Sequence, residues 1–239
     1  TSFFTIGSVI ERIPDDMKMM YVPEGTFQMG RADGYEWERP VHDVFLDGYF
    51  IDVTEVTNSM YSRCVTAGDC DPPDTFASYK HSSYYDHPTY ENFPVINVSW
   101  YDASNYCTWA NAALPTEAEW EKAARGTDGR LFPWGNSSPT CAITNFSPDG
   151  SFCLGDTNWV GYMLFDESPY GAMDMGGNVL EWVADWFSEE YYEISPDRNP
   201  TGPTSGTHRI KRGGSWDLDL IYSTVRIIDD PVNSTFNTG

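Results

Sequence analysis

The sequence predicts a single α+β domain with little regular secondary structure. Three observations predict it. The chain has 239 residues, 40% hydrophobic and 15% aromatic, which suffices for one sizeable buried core. Helical and alternating periodicities both occur, but only in short runs. Gly (20) and Pro (16) are frequent, and regular periodicity fades after Gly126. No internal repeat and no Pro/Ser-rich linker divides the chain. Residues 19–239 are expected to form the domain, after an N-terminal extension over residues 1–18.

Met19 to Val22 and Gly25 to Gly30 alternate apolar and polar residues around Pro23, which predicts a β-hairpin. Val41 to Ile51 alternates in the same way. Thr57 is a helix N-cap, followed by Tyr61, Cys64 and Val65 at helical spacing. Asp69 to Asn92 is polar yet rich in aromatics, so an ordered irregular insert is expected there. Ser99 and Asp102 form a capping box ahead of Ala103, Tyr106, Cys107 and Ala110. A second box, Thr116 with Glu119, opens a helix whose apolar face is Trp120, Ala123 and Ala124 and which ends at Gly126. In that helix Glu117, Glu119 and Glu121 are expected to complement the helix dipole rather than act as acid or base.

The formal charge is −22, from 36 Asp and Glu against 14 Lys and Arg. Such a field repels phosphate backbones and argues against nucleic-acid binding. No stretch approaches the ~20 apolar residues of a membrane-spanning helix. Of the five cysteines, Cys64 with Cys70 and Cys141 with Cys153 bracket short polar loops, which suggests two local disulfides. Cys107 lies in a helical pattern and reads as a buried free thiol. Neither pair has the tight spacing and nearby His of a zinc site. Two disulfides would place the protein outside the cytosol, secreted, periplasmic or on a cell surface. Asn97, Asn136, Asn145 and Asn233 each begin an N-x-S/T triplet.

Eight strings then follow in order. They begin with Val22-Pro23-x-Gly25-x-Phe27-x-Met29-Gly30, Glu38-Arg39-Pro40-Val41-His42 and Thr54-Glu55-Val56-Thr57-Asn58. Next come Pro94-Val95-x-x-Val98-Ser99-Trp100-Tyr101-Asp102-Ala103 and Leu114-Pro115-Thr116-Glu117-Ala118-Glu119-Trp120-Glu121. Pro133-Trp134-Gly135-Asn136, Asp174-Met175-x-Gly177-Asn178-Val179-x-Glu181-Trp182 and Arg212-Gly213-Gly214-Ser215-Trp216 complete the series. The series resembles the formylglycine-generating-enzyme, or sulfatase-modifying-factor, family. The resemblance runs from about Met19 to Trp216 and implies a C-type-lectin-like fold with low regular secondary structure.

The resemblance also implies calcium, held by the Asp174 side chain, the backbone oxygens of Gly177 and Val179, and Glu181. Glycines beside carboxylates among backbone carbonyls suit this hard cation, which takes oxygen ligands. A second calcium set would fall near Asn145, Phe146 and Asp156. The family's oxidase converts a sulfatase cysteine to formylglycine with O₂ and Cu(I) bound by two thiols. Soft thiolates select Cu(I). In this chain the two thiol positions are Leu218 and Ser223, and no cysteine follows Cys153. No copper is therefore expected. Related iron enzymes need a histidine-rich site, whereas His42, His81, His87 and His208 are scattered. No G-x-S-x-G string occurs.

Asp217 to Asn237 departs from the family pattern and is rich in Asp, Leu, Ile, Tyr, Ser, Thr and Val. It resembles the variable segment of ligand-binding proteins from diversity-generating retroelements. Three functions stay open. The first is a non-catalytic extracytoplasmic binding or assembly module, calcium-stabilised, presenting aromatic loops such as Tyr79 to Tyr90 and Tyr191-Tyr192 to a protein or glycan. The others are a metal-dependent oxidoreductase and a retroelement-type ligand-binding protein.

Overall fold

The computed structural model describes residues 4–239. Three small antiparallel sheets surround a central helix. The first holds β1 (Val9–Arg12), β2 (Met17–Val22) and β5 (Tyr49–Asp52), in the order β1-β2-β5. The second pairs β3 (Gly25–Met29) with β4 (His42–Leu46), Phe27 opposite Val44. The third holds β6 (Glu181–Trp186), β7 (Arg209–Arg212) and β8 (Ile227–Asp229). The helices are α1 (Asn58–Ala67), α2 (Trp100–Trp109), α3 (Glu117–Arg125) and a single turn, α4 (Tyr191–Ile194).

The expected hairpin does not form. Its two strands exist, but β2 pairs with β1 and β5 whereas β3 pairs with β4. Pro23 to Gly25 hands the chain from one sheet to the next, with Gly25 at φ 144°. The alternating run Val41 to Ile51 likewise splits into β4 and β5. A side chain at Gly48, between them, would come within 2.2 Å of the Tyr21 hydroxyl oxygen, so Tyr21 packs directly on the backbone of the crossing and would have to shift to admit a larger residue. The expected 1–18 extension contributes β1 and the start of β2, with Val9 opposite Met20; residues 1–3 lie outside the described residues.

The helix ends follow their caps. Thr57 accepts from the Met60 amide, and Gly68 closes α1 in the left-handed region. Both capping boxes, Ser99 with Asp102 and Thr116 with Glu119, are present. α3 then carries the core. Trp120, Ala123 and Ala124 pack against Met20, Val22 and Ile51 on one side and Val183 and Ile210 on the other. Beyond any effect on the helix dipole, its other two carboxylates are committed to ion pairs. Glu117 receives Arg226 at 2.7 and 3.0 Å, and Glu121 receives Arg125 at 3.0 Å, the Gly30 amide at 2.8 Å and Arg212. All of these charged groups are buried, and pairing them is what makes their burial tolerable.

The two disulfides form as expected, Cys64–Cys70 and Cys141–Cys153, and Cys107 is free. The insert after Asp69 is ordered without strands, broken only by a short 3₁₀ turn at Pro88–Tyr90. No helix among the described residues is long and apolar enough to cross a membrane.

Candidate functional site

The segment leading into β6 builds a tight acidic turn. Asp174 and Asn178 both take positive φ (62° and 67°), and the Gly177 amide donates to the Asp174 carbonyl. Gly177 cannot be replaced without a clash, because a Cβ there would come within 2.3 Å of Thr144 Oγ1 and 2.5 Å of the Asn145 carbonyl oxygen. Glu55, just beyond β5, pins the turn from the other side. Its carboxylate accepts from Asn178 Nδ2 at 2.9 Å and from the Val179 amide at 3.2 Å. Glu181, at the start of β6, accepts from Trp120 Nε1 at 2.8 Å.

The turn gathers four carboxyl groups that no basic side chain pairs, and burial favours their neutral forms. Burial pushes the Asp174 carboxyl up to about 6, against the opposing pull of the Gly161 amide. Burial, reinforced by Asp174, pushes Glu181 up to about 7. Glu55 is raised well above the ordinary range by burial and by Asp174 and Glu181, and Asp166 by burial and Asp174. No Lys or Arg contributes to any of the four. The Gly177 and Val179 carbonyl oxygens accept no hydrogen bond from the described residues. Free carbonyls beside carboxyl groups without a basic partner fit a hard cation, whose charge would favour their ionised forms. Among the described residues no three acidic, histidine or cysteine side chains converge closely enough to hold a metal alone, so the two carbonyls would be essential.

The second set fits less well. Asp156 is filled by donors from the insert, with Ser78 Oγ at 2.6 Å and the Lys80 amide at 2.8 Å, and by the Thr157 amide. The Lys80 ammonium lies nearby on the Leu154 carbonyl. The Phe146 carbonyl accepts from Cys153. Only Asn145 Oδ1, buried and unpartnered, is left facing a cation. Glu55 and Asp166 went unassigned by sequence reasoning. The one signal was Glu55 in the string Thr54-Glu55-Val56.

The acidic turn touches a second feature. The Trp216 amide donates to the Asn178 carbonyl at 2.9 Å, which ties the turn to the Arg212–Trp216 segment. A side chain at Gly214 would come within 2.4 Å of Ile221, which explains the close approach that buries Trp216. The indole is covered by Tyr79, Phe152 and Phe236, with ring centroids 5.1, 5.4 and 5.7 Å away. These three covering rings are 57, 48 and 40% exposed and come from three separate loops. Leu218 is held in a turn by Ser215 and receives the Ser147 amide. Ser223 is buried, and its hydroxyl has no partner.

Other expected contact aromatics are structural instead. Tyr84, Tyr191 and Tyr192 are buried, Tyr84 donating to the Pro94 carbonyl and Tyr192 packing on His42 and Arg226. His42, His81, His87 and His208 belong to no metal-holding group among the described residues.

Comparison with known proteins agrees with this architecture. Residues 9–237 match the sulfatase-modifying factor enzyme 1-like domain. The serine/threonine-protein kinase pkn1 of Chlamydia caviae is 34% identical over 92% of this chain, which spans only 37% of that protein's length. The formylglycine-generating enzyme of Mus musculus is 32% identical over 93% of this chain and 73% of its own. Among solved structures, PvdO from Pseudomonas aeruginosa superposes with a TM-score of 0.82 at 25% identity, covering 99% of this chain and 97% of its own.

Proposed function

This chain belongs to the sulfatase-modifying factor enzyme 1-like domain family, and from that premise we propose that it is a non-catalytic extracytoplasmic binding or assembly module stabilised by calcium. The observation that carries this reading is a pair of positions that follow Trp216 in the chain. Leu218 offers a hydrocarbon and Ser223 a hydroxyl where the family's copper chemistry needs two thiolates. A serine hydroxyl stays protonated and hard and does not replace a soft thiolate. Both disulfides support an oxidising compartment.

Calcium at the acidic turn would be held by Asp174, Glu181 and the Gly177 and Val179 carbonyls, with Glu55 fixing the turn. The cation supplies charge neutralisation. The exposed rings of Tyr79, Phe152 and Phe236 supply rigid contact area for a protein or glycan partner, since aromatic side chains lose little entropy on docking. The identity with the mouse enzyme favours one competing reading, a metal-dependent oxidoreductase.

One preparation tests both readings. The chain is incubated with a sulfatase-motif cysteine peptide, Cu(I) and O₂, and its metals are measured by mass spectrometry. The expected result is unmodified peptide, one bound calcium, and a melting temperature that rises with added calcium. Formylglycine in the peptide, or stoichiometric copper or iron, establishes the oxidoreductase.

A further inference from the structure

A cavity of about 570 Å³ opens between the first sheet, α2 and the start of β6, its inner wall sharing Glu55, Val179 and Glu181 with the acidic turn. Its exposed lining residues, Ile10, Ile13, Asn111 and Ala113, mark a mouth between the edge strand β1 and the loop after α2. Deeper in, the walls are apolar and include Ile51, Val98, Ala110, Met175 and Trp182. Protein interiors rarely leave voids larger than a water molecule, and the lining of an empty one forfeits its dispersion contacts. A space of this size lies within the range of pockets that take small organic ligands.

The charge of the lining selects the ligand. Asp52, Glu55, Glu119 and Glu181 face a single basic residue, Arg12. Arg12 is already committed, bonding Asp52 at 2.8 Å and Asp15 at 2.6 Å. Glu55 is used by Asn178 and Val179. Glu181 and Glu119 each keep one carboxylate oxygen without a hydrogen bond from the described residues, since only Glu181 Oε2 and Glu119 Oε2 are engaged. Carboxylate or phosphate ligands would meet net repulsion, whereas a protonated amine would meet attraction. We propose that this cavity binds an aliphatic amine, its hydrocarbon body against the apolar walls and its ammonium against Glu119 or Glu181. The site shares Glu181 with the calcium reading but does not require it, because Glu119 remains available when a cation occupies Glu181.

Cys107 provides the reporter. It is the free cysteine among the described residues, and it lines the cavity. Burial pushes its thiol up to about 12, so modification is slow enough to follow. Decylamine and decanoate are titrated into the chain by calorimetry, and labelling of Cys107 by methyl methanethiosulfonate is timed by mass spectrometry. Both are run in EGTA and again in calcium. Decylamine is expected to bind and to slow labelling at a concentration at least about tenfold below that of decanoate. Ala103→Trp, which fills the cavity from α2, is expected to abolish the binding. Competition from calcium places the ammonium at Glu181, and indifference to calcium places it at Glu119. The proposal is overturned if decylamine does not bind, if decanoate binds as well, if binding leaves labelling unchanged, or if Cys107 never labels in the free chain. The comparison of the two ligands uses the unaltered chain and stands whether or not Ala103→Trp folds. Failure of calcium to raise the melting temperature would instead reflect on the acidic turn.

Discussion

Glu121 ties three parts of the chain together, because it receives the Gly30 amide, Arg125 and Arg212 at once. Glu121→Ala would leave two buried guanidinium groups without that partner. Such losses cost about 3–5 kcal/mol, and a urea titration is expected to show a midpoint lowered accordingly, with Glu121→Gln intermediate. Asp185 gives a pH signature. Burial, and then the nearby Glu117, push its carboxyl up to about 7, whereas an unfolded aspartate titrates near ~3.9. The folded state therefore holds the extra proton. Its stabilising effect is complete below about pH 4 and is lost as the pH rises through about 7. Asp185→Asn, whose amide oxygen can still accept from the Glu117 amide, is expected to flatten the stability profile between those limits. The roles of single residues were legible where partners are local, as at Thr57, Ser99 and Thr116. The ion pairs of Glu117 with Arg226 and of Glu121 with Arg212 were not legible because those arginines lie 109 and 91 residues away in the chain. Glu55 escaped for the same reason: it meets Asn178 across 123 residues.

Elements divide along a similar line. A cap needs three or four residues to declare itself, and α1, α2 and α3 begin at the caps read from sequence. A strand declares its alternation but not its partner. This is why β2 and β3 were joined into a hairpin although each pairs elsewhere. The two disulfides were legible because each closes a short loop, with sequence separations of 6 and 12. The acidic turn was legible as a motif, while its fourth carboxylate, Asp166, and the donors filling Asp156 came from other loops. Among the elements, the loop closed by Cys141–Cys153 carries Phe152 to the Trp216 face. Replacing both cysteines by serine is expected to cost about 2–3 kcal/mol by loop-closure entropy. It should also increase hydrogen exchange across residues 141–153 while leaving the α3 core protected, which a native-state exchange measurement would show.

At the scale of the whole molecule, the fold class followed from composition and from strings spread along the chain, whereas the sheet order depended on contacts no local pattern encodes. The distribution of charge between core and surface has a further consequence. Seven of the 14 basic residues are buried, against nine of the 36 acidic ones. The exterior is thus poorer in cations than the sequence total implies. Two copies approaching in dilute buffer should repel over tens of ångströms, since the screening length is about 30 Å at 0.01 M salt and about 8 Å at 0.15 M. Light scattering is expected to give a large positive second virial coefficient at the lower salt that shrinks toward the hard-sphere value at the higher. With 27 acidic residues against 7 basic ones left outside the buried set, the chain carries a colloidal shell of counterions that keeps its own copies apart.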